Sequence, residues 1–457
     1  MKTKFRLLFV GAAVFVIYVS YKILEPELYR LKNARGLGVD AGYNQYGNGL
    51  DKDYHRGEFP IEVLPPNGRQ ESVVMNAVNQ DSAQQNISVT QVIKSLIDRY
   101  TPQYTYQLSD SPWKVAAKWV EARQILPVDD QELGAILNAM GQGKVTSADV
   151  GHKGTQLKLT LVLNNEQKVI FKPAWYTRDY LVTGTPYAGR DRHNAEIAAF
   201  HLGRILELRR TPLAVGRRLD IKNDIQSVAT EGLLSTFFNK DGESCFYGRC
   251  LYCKGPDDGV CATNGYIEGT LVLWLPSQFR MKVHKHPWSR TYRDSLQAKW
   301  ETDKDYCQKL VQVNPTFSSG PRLMDIIDTA VFDYLIGNAD RHHYETFEAM
   351  ADSMLIMLDN GKSFGNPGVD ELTILAPLYQ CCKIRSSLWQ RLLALQDGIL
   401  SKVLEGVLSH DPIAPVLTRQ HLEALDRRLV TVLEQIQLCL DKFGISAVVT
   451  DSFDKGR

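Results

Sequence analysis

The sequence predicts an α+β fold of two lobes that fills most of the chain. Three observations predict it. A β-hairpin pattern over residues 156–171 is followed by an amphipathic helix, an apolar helix further on runs into an acidic loop at residues 337–343, and two long helical patterns close the chain. The strand-rich part is therefore expected to form a small lobe, over residues 107–270, and the helical part a large lobe, over residues 271–450.

Length and composition limit the number of domains and the class to which the protein can belong. The 457 residues can hold one large domain or two ordinary ones. A hydrophobic content of 44% with 23% charged residues is typical of a globular protein. The formal net charge of +1 gives no electrostatic reason to expect nucleic acid as a partner. No repeat is visible that would indicate a solenoid.

The first residues indicate a secretory-pathway protein. Basic side chains within residues 1–6 precede the uncharged run Leu7 to Tyr21, which is either a cleaved signal peptide or a membrane anchor. The run lacks a small-x-small cleavage site, and Lys22 can reach the bilayer surface, so the anchor is favoured. We expect residues 1–6 to be cytosolic, residues 7–24 to be a single-pass type II signal anchor, and the body to be lumenal.

The next segment, residues 25–106, is expected to be a lumenal stem. It is rich in Gly, Asn, Gln, Asp and Tyr and has little periodicity apart from a short helix pattern at Val89 to Ile97. The sequon Asn86-Ile87-Ser88 predicts glycosylation at Asn86 in the same compartment.

The eight cysteines agree with an oxidising compartment. Cys250-x-x-Cys253 is compatible with a zinc site, but the flanking spacing is irregular, so disulfides are favoured. The neighbours Cys381 and Cys382 are expected to reach different partners, because a ring between adjacent cysteines is strained. The remaining cysteines are Cys245, Cys261, Cys307 and Cys439.

The small-lobe pattern contains a lysine and a glutamate in an informative order. After helical patterns at Lys114 to Ile125 and Gln131 to Met140, the hairpin ends at Lys172, and the helix predicted over Arg192 to Leu206 carries Glu196. In the small lobe of a protein kinase such a lysine grips phosphate and is oriented by such a glutamate.

The large-lobe pattern begins with an apolar strand, Gly269 to Pro276, that connects the lobes. A helix over residues 326–335 then stops at Gly337, and the loop that follows contains Asp340. A second apolar run, Met354 to Leu358, is predicted to be a buried strand that ends at Asp359. Two carboxylates held on loops suit metal-assisted phosphoryl transfer, with Asp340 accepting the hydroxyl proton and Asp359 holding the metal.

Two further features of this half have alternative interpretations. Gly361-Lys362-Ser363 looks like the end of a P-loop, but Ile356 stands where that motif needs glycine, so a P-loop is rejected. The stretch of residues 281–300 is basic and aromatic, and is either a plain exposed loop or a surface for an anionic or sugar-bearing substrate. The side chains considered for sugar stacking and hydrogen bonding are Trp288, Tyr292, Trp300, Lys285 and Arg290.

Four motifs, taken together, resemble a known family. The chain from Ser111 to Val449 is similar to the secretory-pathway kinases related to the Golgi casein kinase. Within it, Tyr187 to Asp191 and Leu358 to Pro367 are most similar to the branch that phosphorylates xylose. The four motifs are Lys153-Gly154-Thr155-Gln156-Leu157-Lys158, Asp191-Arg192-His193-Asn194-Ala195-Glu196, Cys245-Phe246-Tyr247-Gly248 and Gly337-Asn338-Ala339-Asp340-Arg341-His342-His343-Tyr344-Glu345.

The resemblance implies an atypical bilobal protein-kinase-like fold with disulfides, on a Golgi membrane. It implies transfer of the ATP γ-phosphate, with Mn²⁺ as the metal and Mg²⁺ as the alternative, to O2 of the xylose in the galactosyl-xylose of the proteoglycan linkage region. Association with related secretory kinases is a further expectation. A serine protein kinase and a pseudokinase activator are the rival functions; the latter would lack a catalytic or metal-binding carboxylate.

The resemblance also implies residue roles. Asp340 is the base, Asp359 and Asp191 hold the metal, and Glu196 orients Lys172. The nucleotide contacts are Gln156, Lys172, Val272, Leu273, Trp274, Leu275, Glu345 and Asp359. The implied disulfides are Cys245–Cys261, Cys250–Cys253, Cys307–Cys381 and Cys382–Cys439. The chain departs from ordinary kinases in lacking G-x-G-x-x-G and in having Asp359-Asn360-Gly361 in place of Asp-Phe-Gly.

Overall fold

The structure is a computed structural model that describes residues 88–104, 107–108, 110–151, 154–293 and 295–451. The predicted anchor, most of the predicted stem and Asn86 lie outside these residues. In the described part of the chain, no helix is long and apolar enough to cross a membrane. Every site residue discussed below belongs to the unit formed by residues 93–457.

A five-stranded antiparallel sheet forms the strand-rich part of that unit, in the order β1-β2-β3-β8-β4. The predicted hairpin is confirmed as β2 and β3, although β2 begins at Leu159 and not at Gln156. The strands are joined by Asn164-Asn165-Glu166, in which both asparagines adopt the left-handed conformation that this residue tolerates. Strand β8 crosses the predicted lobe boundary and remains in the sheet to Leu273. The five strands are β1 Val145–Val150, β2 Leu159–Leu163, β3 Gln167–Pro173, β4 Ala214–Asp220 and β8 Tyr266–Leu273.

The described part of the chain also contains smaller sheets. One has the strand order β5-β6-β7, β9 pairs with β10, and β11 pairs with β12. Their bounds are β5 Phe237–Lys240, β6 Glu243–Phe246, β7 Val260–Cys261, β9 Met281–Lys285, β10 His343–Phe347, β11 Ile384–Arg385 and β12 Val449–Thr450.

The helices are mostly in the second half of the chain, as predicted. The helical pattern over residues 388–408 corresponds to two helices, α10 and α11. They are separate because Asp397 and Gly398, which lie between them, have positive φ. The described helices are α1 Val89–Tyr100, α2 Pro112–Lys118, α3 Leu133–Gln142, α4 His193–Ile205, α5 Glu231–Leu234, α6 Lys299–Thr302, α7 Pro315–Ser318, α8 Arg322–Ile336, α9 Ala376–Cys381, α10 Ser386–Ala394, α11 Ile399–Leu408, α12 Arg419–Phe443 and α13 Ile445–Val448.

Helix α4 lies at the centre of the unit and is buried on all sides. It contacts strands β4 and β8 on one side and α11 on another. A helix in this position buries its polar side chains too, and these need partners. Arg204 donates to Asp130 at 2.8 Å, and Glu196 accepts from Lys172. The helix therefore carries Glu196 into the interior instead of presenting it to water.

Two predicted elements are wrong in extent or type. The helix expected to reach Ile125 ends at Lys118, because the following segment bonds to distant parts of the chain, with Ile125 N–H donating to the Arg209 carbonyl. The run Met354 to Leu358 is buried at its first four positions but is not a strand. It makes one isolated bridge, between Ile356 and Glu345, and Met357 N–H instead donates to the Arg210 carbonyl.

All eight cysteines are paired, and the structure joins the four pairs that the resemblance implies. Two of the bridges lie beside β6 and β7, and two tie the segment around α9 to distant helical segments. Because Cys381 and Cys382 are adjacent, α9 is fixed to both Cys307 and Cys439. The pairs are Cys245–Cys261, Cys250–Cys253, Cys307–Cys381 and Cys382–Cys439.

Loss of a disulfide should cost more stability where the bridge closes a longer loop. Cys382–Cys439 spans 57 residues and Cys250–Cys253 spans 3. In the chain-entropy model, replacing the first pair by serine should lower the free energy of unfolding by roughly 2 kcal/mol more than replacing the second. Denaturant unfolding of the two double variants without reductant measures this difference. Equal losses would show that these bridges do not act through loop closure.

Candidate active site

Three carboxylates converge on the ammonium group of Lys172 at the end of β3. The Lys172 Nζ lies 3.1 Å from Asp191 Oδ2, 2.6 Å from Glu196 Oε1 and 2.5 Å from Asp359 Oδ1. Lys172 lies on β3 and Glu196 on α4. Asp191 lies just before α4, and Asp359 lies in the loop that follows the second apolar run. The structure thus brings together four of the residues that the sequence singled out, from positions as far apart as 172 and 359.

The cluster has an excess of negative charge. Burial opposes the charge on Lys172, but Asp359, Glu196 and Asp191 hold its pKa well above the usual range. The nearby Lys172 ammonium in turn keeps the pKa of Asp359 well below its usual range. One ammonium balances only one of the three carboxylates that contact it, so these four side chains together carry a net charge of about −2.

The donor set fits a divalent cation. Carboxylate oxygens suit Mn²⁺ and Mg²⁺, and the unbalanced charge matches that of either ion. The Asp359 side chain is 71% exposed, so an ion can reach it, whereas the Asp191 side chain is 10% exposed. Within the described ranges, no three His, Cys, Asp or Glu side chains are already arranged around a metal position.

Arg192 and two glycines fix Asp191 against the loop that carries Asp359. The Arg192 backbone N–H donates to the Gly361 carbonyl at 2.8 Å, and its Nε donates to the Ser363 carbonyl at 2.6 Å. A Cβ at Gly361 would lie 2.6 Å from Asp191 Cγ, and one at Gly365 would lie 2.7 Å from an Arg192 nitrogen. Only glycine allows this loop to approach so closely.

Gly361 therefore offers a test of the close approach. If Asp191 holds Mn²⁺, as the resemblance implies, the new methyl group in Gly361→Ala should displace it. Mn²⁺-dependent binding of ADP should then weaken by at least about tenfold, the cost of disturbing the surroundings of a metal ligand. Isothermal titration in the presence and absence of Mn²⁺ measures this. Gly141→Ala is the matched control, since a Cβ there meets no atom within 4 Å. Equal binding by the two variants would contradict the role assigned to Gly361.

Asp340 lies in the loop between α8 and β10. Helix α8 ends at Gly337, which adopts the left-handed conformation typical of a helix C-terminus. Asp340 N–H donates to Asn338 Oδ1 at 3.2 Å. Burial raises the pKa of Asp340, and a hydrogen bond from Tyr292 opposes that rise. A carboxylate with a raised pKa is a better proton acceptor than an exposed aspartate.

Arg341 joins the Asp340 loop to the Asp359 loop. Its guanidinium pairs with Asp333 through two bonds of 2.5 and 2.8 Å, and also donates to the Leu358 carbonyl at 2.7 Å and to Asn360 Oδ1 at 2.9 Å. Asn360 in turn donates to Glu196. The two loops and α4 are therefore held in one hydrogen-bonded network.

The remaining predicted nucleotide contacts lie on three other segments of the chain. Gln156 follows the segment Gly154-Thr155, whose carbonyls accept from the N–H groups of Leu251 and Tyr252 inside the Cys250–Cys253 loop. Glu345 is half-buried on β10, and burial raises its pKa. The predicted adenine segment, Val272 to Leu275, runs from the end of β8, with Leu273 and Leu275 buried.

The tryptophans considered for sugar stacking are not available for it. Trp288 and Trp300 are 5% and 4% exposed, and their indole N–H groups donate to Gln380 Oε1 and to the Ser289 carbonyl. Arg290 is also engaged, with the Ala339 carbonyl and Thr373. Tyr292 remains exposed, as does Lys285. The basic and aromatic stretch thus contributes two buried tryptophans to the core, whereas its Tyr292 and Lys285 side chains are accessible.

Sequence reasoning missed Arg192 and Arg341. An arginine in a polar loop normally has its charge in water, and its role here depends on carbonyls far away in the sequence. A signal was present, because each arginine directly follows an acidic site residue, as Asp191-Arg192 and Asp340-Arg341.

A family model described as "Golgi casein kinase, C-terminal, Fam20" matches residues 111–448. The chain belongs to the Fam20 family. The predicted kinase-like fold with mixed helices and sheets and with disulfides is therefore confirmed.

Among Fam20 relatives, the human glycosaminoglycan xylosylkinase is 54% identical over 342 residues, which cover 75% of this chain and 83% of the human protein. The solved structure of a hydra Fam20 with sugar is 46% identical, with a TM-score of 0.73, covering 76% of this chain and all of that one. The crystal structure of the Golgi casein kinase with Mn/ADP bound is 29% identical, with a TM-score of 0.73, covering 83% of this chain and 96% of that one.

Proposed function

We propose that this Fam20 chain is an ATP-dependent kinase of the Golgi lumen whose acceptor is the 2-hydroxyl of xylose in the glycosaminoglycan–protein linkage region. The observation that carries the phosphoryl-transfer assignment is the convergence of Asp191, Glu196 and Asp359 on Lys172. The acceptor assignment is supported by the 54% identity to the human xylosylkinase and by the likeness to the hydra Fam20 with sugar.

On the nucleotide side, Lys172 holds phosphate oxygens and Glu196 keeps the Lys172 side chain in place. Their separation of 2.6 Å supports these roles, because kinase activity requires this type of ion pair. Gln156 and Glu345 contact the nucleotide, and Val272 to Leu275 line the adenine.

Asp191 and Asp359 hold Mn²⁺, with Mg²⁺ as the alternative ion. A bound ion would neutralise charge on the phosphate oxygens. The excess of negative charge around Lys172 supports this assignment. The solved Golgi casein kinase with Mn/ADP bound supports it independently.

Asp340 is the proton acceptor. It takes the proton of the acceptor hydroxyl as that oxygen attacks the γ-phosphorus, and its raised pKa assists this transfer. Arg341 holds the Asp340 loop at a fixed position relative to Asp359. It donates to Leu358 and Asn360, the residues before and after Asp359, and it pairs with Asp333 of α8, the helix that precedes Asp340. Two loops that move together preserve the distance between base and phosphate.

The proposal extends to the organisation of the whole chain. Residues 1–6 are a cytosolic tail, residues 7–24 a type II signal anchor in the Golgi membrane, and residues 25–106 a lumenal stem with a glycan at Asn86. Residues 107–270 and 271–450 are the two lobes, and residues 451–457 a tail. The basic flank before the uncharged run and the eight paired cysteines support a lumenal body.

The second candidate is a serine protein kinase, which the likeness to the Golgi casein kinase favours at 29% identity. A pseudokinase that associates with and activates a related kinase is the third. The presence of Asp191, Asp340 and Asp359 counts against a pseudokinase.

The position of the phosphate tests the proposed function. Incubation with ATP, Mn²⁺ and galactosyl-β1,4-xylose should give a product whose phosphate is on O2 of xylose, as located by NMR and tandem mass spectrometry. Xylose alone should be a poorer acceptor, because it offers fewer contacts. Phosphate on the galactose, or an unmodified disaccharide beside a phosphorylated peptide, would overturn the assignment.

A further inference from the structure

The hydroxyl of Tyr292 occupies the position beside Asp340 that an acceptor hydroxyl needs. It donates to Asp340 Oδ1 at 2.6 Å and lies 3.1 Å from His342 Nδ1. A general base removes a proton from a group within about 2.6–3.2 Å. The tyrosine hydroxyl therefore stands where the reacting hydroxyl of a substrate would be.

Tyr292 is held at this place but can leave it. Its ring packs edge-on against the ring of Tyr187, with centroids 4.6 Å apart, so the segment between β3 and α4 contacts the Asp340 side of the site. The Tyr292 backbone has φ of 56°, a conformation that is uncommon for tyrosine. Its side chain is 37% exposed, so displacement does not open a buried core.

We propose that the Tyr292 hydroxyl shields Oδ1 of Asp340 from water until an acceptor hydroxyl displaces it, and so selects the acceptor over water. This inference rests on the proposed kinase function. Without the shield, a water oxygen would form the new bond to the γ-phosphorus, the bond from that phosphorus to the bridging oxygen would break, and ADP would leave with the electron pair. Asp340 would take the water proton, and ATP would be hydrolysed to ADP and phosphate.

The test compares ATP hydrolysis with phosphate transfer in Tyr292→Phe. This variant removes the hydroxyl and leaves room for one water beside Asp340 Oδ1. Acceptor-free release of ADP should rise about tenfold, the value of one hydrogen bond to a charged group, and KM for the disaccharide should fall because its competitor is gone. Tyr266→Phe is the control, since Tyr266 is 54% exposed at the far end of β8 and should keep hydrolysis low.

Tyr292→Ala, which removes the ring as well, is the second variant. If Tyr292 only supports its loop, both variants should lower phosphate transfer without raising hydrolysis, and that result would overturn the proposal. Mn²⁺-dependent ADP binding checks that each variant is folded. The hydrolysis assay contains no acceptor, so its result is independent of which acceptor is correct; failure of the proposed function would instead appear as an unmodified disaccharide with the wild-type protein.

Discussion

Asp340→Asn should lower kcat for phosphate transfer by more than about a hundredfold while ADP binding stays within a few-fold of wild type. The substitution keeps the shape of the side chain but removes the proton acceptor, and a positioned base contributes at least about this factor. Nucleotide binding should survive, because Lys172, Glu196, Asp191 and Asp359 are untouched. Single-turnover kinetics and calorimetry with Mn²⁺ and ADP measure the two quantities separately.

The control for this prediction is Asp241→Asn. Asp241 lies exposed in the turn between β5 and β6, at a positive φ that asparagine also tolerates. It should retain full turnover. Near-wild-type turnover in Asp340→Asn, or an equal loss in nucleotide binding and turnover, would remove Asp340 from the role of base.

Asp359→Asn should abolish Mn²⁺-dependent nucleotide binding as well as turnover. The loss of one charge reduces the excess in the Lys172 cluster from about two to about one, and removes the carboxylate that is most open to solvent. A bound metal supplies several kcal/mol of charge stabilisation in phosphoryl transfer, so turnover should fall by at least about a hundredfold.

A Mn²⁺ titration distinguishes this loss from misfolding. In wild type, affinity for ADP should rise steeply with Mn²⁺, and in Asp359→Asn it should be low and independent of Mn²⁺. Asp241→Asn again serves as the control. An unchanged dependence on Mn²⁺ in Asp359→Asn would show that the ion is held elsewhere.

Much of the site followed from the sequence because its parts lie on elements with local signals. The hairpin has alternating apolar residues and an asparagine turn, so the position of Lys172 at its end could be predicted. The helix that carries Glu196 has a clear apolar spacing. The stop at Gly337 and the end of the second apolar run indicated that Asp340 and Asp359 lie on loops.

The rest depended on contacts between distant segments. Periodicity cannot distinguish a buried strand from a buried irregular run. Met354 to Met357 is the latter, because the Met354 and Met357 N–H groups donate to the carbonyls of Ala122 and Arg210, outside any ladder. Composition suggested that Trp288 and Trp300 face a sugar, but α9 covers them and supplies the Gln380 partner of Trp288. Arg192 and Arg341 join loops whose proximity exists only in the folded chain.

A competition between two acceptors in one incubation tests the proposed acceptor and the role of Asp340 together. Galactosyl-β1,4-xylose and a casein-like peptide are supplied at equal concentration with labelled ATP and Mn²⁺, and the label in each is measured by mass spectrometry for wild type and Asp340→Asn. With the wild type, we expect label on the disaccharide and little on the peptide; with Asp340→Asn, we expect label on neither. Efficient labelling of the peptide beside an unmodified disaccharide would show that the chain is a protein kinase.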